Sequence, residues 1–115
     1  KGEMRMWRIL AMLLLVPGMA LAEDWQAMDG PAIDAALTGK TVIYENATQR
    51  FYASGRTLYN AGQDSWGYWA VRGDLYCSQW PPGDQWDCYD MAAMNGKVRF
   101  IGADGSTTDG AFAEQ

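Results

Sequence analysis

The side chains able to do chemistry in this 115-residue chain are its carboxylates, its two cysteines and a large set of aromatic rings. There is no histidine, so a serine or cysteine nucleophile would lack its usual base. No G-x-S-x-G elbow, phosphate-cradling loop or zinc-ligand spacing occurs in the chain. Asp84, Asp87 and Asp90 are close in sequence, and a hairpin could bring Asp74 toward them. Such carboxylates could run glycoside hydrolysis or hold calcium. The D-x-D-x-D-G spacing of a calcium loop is missing, and ordinary solvated acids explain these residues better. No catalytic residue, metal or cofactor is expected.

The cysteines take their meaning from the residues at the start. Arg5 and Arg8 precede an apolar run from Ile9 to Val16, then Pro17-Gly18, and Ala20-Leu21-Ala22 before Glu23-Asp24. That order predicts a secretory signal peptide over 1–22. The competing reading, a membrane anchor, has only the 14 residues from Ile9 to Ala22, short of the roughly 20 that span a bilayer. No stable membrane insertion is expected after cleavage. Periplasmic or secreted proteins meet oxidising conditions, so Cys77 and Cys88 are expected to pair. The full chain has 14 acidic and 9 basic side chains. Residues 1–22 hold one of the acids, Glu3, and three of the bases, Lys1, Arg5 and Arg8, which leaves 13 and 6, a net of −7. Such a surface repels phosphate backbones, and nucleic acid is excluded as a partner.

Aromatic residues are the stronger signal. Trp25, Trp66, Trp69, Trp80 and Trp86 follow the signal, with Tyr44, Tyr52, Tyr59, Tyr68, Tyr76 and Tyr89. If Arg72-Gly73-Asp74 makes a three-residue turn, Trp69, Val71, Leu75 and Cys77 share a face, and an indole packs on the disulfide. Tyr68, Tyr76 and Trp80 would then line the other face, able to bind a ligand by stacking or to lie under the helix. Trp80-Pro81-Pro82-Gly83-Asp84-Gln85-Trp86 is a rigid loop with a tryptophan at each end. It suits a structural clasp over a barrel end or a recognition element. The candidate binding residues are Trp80, Trp86, Tyr68, Tyr76 and Asp84.

The elements that must position these residues are short. Asp29 as cap, Pro31 in the first turn and Gly39 after the end predict one helix with Ile33, Ala36 and Leu37 on one face. Strands are expected at 41–45, 50–53, 57–60, 68–72, 75–80, 86–91 and 97–102, with hairpin turns at Gly73-Asp74 and Asn95-Gly96. The fold class is α+β, mostly β: a short N-terminal helix followed by a seven-strand antiparallel meander, as a curved sheet or small barrel. One domain spans 23–103, with a flexible tail over 104–115.

The run from Gly67 to Cys77, with Trp80 and then Cys88-Tyr89, fits G-x-W-x-V-x-G-D-x-x-C-x-x-W followed by a second cysteine. Over residues 38–103 it resembles small exported proteobacterial proteins with no assigned activity. The resemblance implies a compact β-rich periplasmic domain. Function is expected to be non-enzymatic binding of a protein or small molecule. The alternatives are an inhibitor or envelope-interaction protein using the 80–86 loop, and below it a carboxylate-dependent hydrolase. A tyrosine- and tryptophan-lined cavity would favour the first, a filled core with aromatics exposed on the loop the second, and facing carboxylates in a cleft the third.

Overall fold

A computed structural model describes residues 24–113; the expected signal peptide lies outside the described residues. The first element is a two-residue strand, β1 (Gln26–Ala27). Helix α1 (Gly30–Leu37) follows. The Asp29 side chain accepts from the Ala32 N–H at 2.9 Å, satisfying one of the donors a helix start leaves unpaired. Gly39 takes φ 77°, the left-handed conformation that ends helices. Ile33 and Leu37 are fully buried, one turn apart on a single face. Burying each stabilises the fold by roughly 1.5–3 kcal/mol. The helix is therefore as the sequence predicts, but β1 comes before it, so it is not the N-terminal element.

Eight further strands follow: β2 (Thr41–Ile43), β3 (Thr48–Phe51), β4 (Arg56–Asn60), β5 (Asp64–Arg72), β6 (Leu75–Gln79), β7 (Asp87–Met94), β8 (Lys97–Ile101) and β9 (Thr107–Phe112). All neighbours are antiparallel, in the order β1-β7-β6-β5-β4-β3-β2-β9-β8, and β8 pairs back onto β7. Strands β2 to β9 thus close a barrel, and closure leaves it no bare edge. Strand β1 occupies the stretch of β7 that β6 leaves free: β6 pairs with Asp87–Tyr89 and β1 with Ala92 and Ala93.

Two expectations are corrected. There are nine strands among the described residues, not seven, and β9 falls within 104–115, where the sequence predicts a tail. Thr107–Phe112 has no apolar alternation, yet it pairs with β8 on one side and β2 on the other. The face assignment also changes. Gly73, at φ 61°, opens a two-residue turn, with Arg72 opposite Leu75. One residue fewer in the turn moves every side chain of β6 to the other face relative to β5. Trp69 and Tyr76 therefore point into the barrel, while Tyr68 and Cys77 point out of it. Trp69 packs edge-on against Phe51 at 5.5 Å and donates to the Tyr52 carbonyl, not against the disulfide.

The strand directions give the barrel two unlike ends. One carries α1 and the turns β3–β4, β5–β6 and β7–β8. There, Ile33 and Leu37 cap a filled core of Val42, Phe51, Trp69, Met91 and Val98. The Asp74 carboxylate in the β5–β6 turn accepts from the Gly30 N–H at 2.7 Å, tying the helix to this end. The other end carries the connections 44–47, 61–63, 80–86 and 102–106, and no helix among the described residues covers it.

Candidate functional site

Inside the uncovered end lies a cavity of about 480 Å³. Period-two alternation builds it, because every barrel strand presents alternate residues inward. Gln49 of β3, Tyr59 of β4, Ser65 of β5, Tyr76 and Ser78 of β6, Tyr89 of β7, Phe100 of β8 and Thr108 of β9 line it, with Tyr44 and Trp80 from the connections. Six of these are aromatic and form an unbroken chain of ring contacts. Trp80 meets Tyr59 at 6.1 Å, Tyr59 meets Tyr44 at 6.2 Å, and Tyr44 meets Phe100 at 6.0 Å. Phe100 meets Tyr76 at 5.1 Å, and Tyr76 meets Tyr89 at 6.0 Å. Tyr76 also touches Phe51 of the core, which makes it the floor of the cavity.

A polar chain runs beside the rings. The Trp80 indole donates to Ser78 Oγ at 3.2 Å, and Ser78 also bonds the Tyr76 hydroxyl. Buried Gln49 donates to Tyr76 at 3.3 Å and to Thr57 Oγ1 at 2.9 Å. Its oxygen accepts from the Tyr44 hydroxyl at 2.8 Å, and Thr57 donates to the Arg50 carbonyl. Burial raises the Tyr76 pKa to about 12, against a lowering by the Ser78 and Gln49 hydrogen bonds. Burial, followed by the neighbouring Tyr76 and Tyr59, holds Tyr44 well above the ordinary phenol range. Both stay neutral at any physiological pH. In contrast, the hydroxyls of Tyr59, Tyr89, Ser65 and Thr108 have no hydrogen-bond partner among the described residues. None of the described residues that line the cavity carries a charge.

Two strand glycines make room for the rings. A Cβ on Gly67 would stand 2.6 Å from the Trp80 ring, and one on Gly110 would stand 3.1 Å from the Tyr44 ring and closer still to Val42. A second recess, of about 500 Å³, adjoins the cavity at the rim. It shares Tyr44, Tyr59 and Thr108 and adds Glu45 and Asp109.

The residues expected to form a site divide into three groups. Trp80 and Tyr76 join the cavity wall. Trp86 instead lies against the outside of the barrel, half-buried with the Arg72 guanidinium 4.3 Å above its ring. Tyr68 is also outside, 43% exposed, and Asp84 is an exposed loop residue whose carbonyl accepts from Gln79. Cys77 and Cys88 form a disulfide between directly opposed residues of β6 and β7. Asp74 sits at the helix end, remote from Asp84 and Asp87 at the opposite end, so these acids do not converge. Among the described residues no group of three His, Cys, Asp or Glu side chains could hold a metal ion. No helix among them is long and apolar enough to cross a membrane. The sequence neighbourhoods of Tyr44, Gln49, Tyr59, Tyr89 and Phe100 do not mark them as site residues. Isolated glycines inside strands, at 67 and 110, are the signal that could have marked the crowded positions.

No family model, curated protein or solved structure matches the chain.

Proposed function

We propose that this protein is a non-enzymatic binding module that takes a small organic molecule into the uncovered end of its barrel. The observation that carries the reading is the wall of six linked rings around about 480 Å³. That volume falls within the roughly 300–1,000 Å³ usual for small-molecule sites, which likewise combine apolar walls with a few polar groups. Four unpartnered hydroxyls supply those groups. The polar chain through Gln49 holds two rings in place before a ligand arrives, so little ordering remains to be done on binding. The protein-interaction reading has less support. Trp80 turns into the barrel and Trp86 lies under Arg72, so neither is offered outward by the loop. A hydrolase has less still, since no carboxylate lines the cavity. The periplasm or the medium is the proposed place of action, and a disulfide fits an oxidising compartment.

The neutral fluorophore N-phenyl-1-naphthylamine tests this reading. The native protein should bind one molecule per chain, with saturable enhancement of its emission. Ser65→Trp, which fills the mouth with an indole, should weaken binding about tenfold or more while the barrel still melts cooperatively. Absence of saturable binding, or equal affinity in both proteins, would refute cavity binding.

A further inference from the structure

The distribution of charge along the barrel names the class of ligand. All four connections at the uncovered end lack lysine and arginine, and they hold Glu45, Asp84 and Asp104. Asp64 and Asp87 open β5 and β7 at this same end. Four bases belong to the other end: Lys40 before β2, Arg50 late in β3, Arg56 at the start of β4 and Lys97 at the start of β8. Arg72 closes β5 there as well, but its guanidinium reaches the Trp86 ring on the outside of the barrel. Acids occur there too, at Asp29, Asp34 and Asp74, but the mouth is acidic without compensation from its own loops. Arg99, on the barrel wall, is paired with Asp109 at 2.7 Å. Glu45, in the rim recess, has no basic partner among the described residues.

An acidic mouth concentrates cations at the opening and turns anions away. The interior then has to accept the charge it attracts. It holds no carboxylate to pair with a cation, but its six rings present π systems, whose faces attract an ammonium group. An anion would find neither a counter-charge nor a π face that favours it. A neutral molecule would fit the walls but gain nothing from the mouth. We infer that the ligand is an organic cation, an amine or quaternary ammonium with an apolar body, held by the rings of Tyr44, Tyr59, Trp80 and their neighbours. This rests on the cavity-binding reading above.

The test is a pair of probes of the same shape, 3-hydroxyphenyltrimethylammonium and neutral 3-tert-butylphenol, measured by calorimetric titration. The cation should bind about tenfold more tightly or better, as a desolvated cation–π contact allows. Tyr59→Leu should weaken the cation far more than the neutral probe and so erase most of that preference, and Tyr59→Phe, which keeps the ring, should retain it. Equal or tighter binding of the neutral probe, or no binding of the cation, overturns the inference. So does a preference untouched by Tyr59→Leu in a variant that still melts cooperatively. If N-phenyl-1-naphthylamine binds in any of these cases, the cavity reading stands and only the ligand class is lost; if it does not, both fall.

Discussion

Tyr44 and Tyr76 carry the chemistry most sensitive to the fold. In an unfolded chain a tyrosine loses its proton near pH 10. Burial raises Tyr76 to about 12 and Tyr44 further. Above about pH 10 the folded protein therefore keeps protons that the unfolded chain has released, and stability falls as pH rises. The contribution is intact below about pH 10 and disappears as pH passes the folded value of Tyr76, about 12. The urea midpoint should accordingly drop steadily over that window, and absorbance near 295 nm should show Tyr44 and Tyr76 ionising only with unfolding. A flat midpoint would mean that these hydroxyls are solvated. The two tyrosines were unequally legible in the sequence. Tyr76 stands out beside Cys77, but whether it faces in or out depends on the length of one turn. Gln49, which joins the two, reads locally as an ordinary surface residue of a strand. Only closure of the barrel buries it.

Strands β6 and β7 are joined twice, by backbone pairing and by Cys77–Cys88. The bridge closes the loop that delivers Trp80 to the cavity wall. Cys77→Ser with Cys88→Ser should cost about 3 kcal/mol if restriction of the unfolded chain is the main effect. A chemical-denaturation curve measures it, and a loss well under 1 kcal/mol would assign the positioning of Trp80 to its packing on Gly67 alone. The double variant should also bind N-phenyl-1-naphthylamine more weakly, because the loop is less ordered before the probe arrives. At this scale the sequence speaks clearly where local chemistry decides. Asp29, Pro31 and Gly39 mark α1, and Asn95-Gly96 takes two positive φ angles to turn β7 into β8. It is silent where partners decide. β1 is two residues long, and β9 owes its form to the two strands beside it.

Taken whole, the barrel has one end filled by α1 and a cavity inside the other. Strand β9 completes it by bridging β8 and β2. A chain truncated after Gly102 should expose the free edges of β2 and β8, and such edges pair with other chains. Size-exclusion chromatography should show larger species than the full chain forms, or precipitate, and a soluble, cooperatively melting species of the full chain's own oligomeric state would show that β9 is dispensable. The position of β9 also has a consequence in time. Translation delivers β1 first and β9 last of the nine strands. During that interval the other seven barrel strands can make only an unclosed ribbon, with its two margins far apart in sequence, and joining them is a slow, non-local event. The chain thus stays open to chaperones until nearly all of the described residues have been synthesised. The ring of strands around the cavity cannot close early.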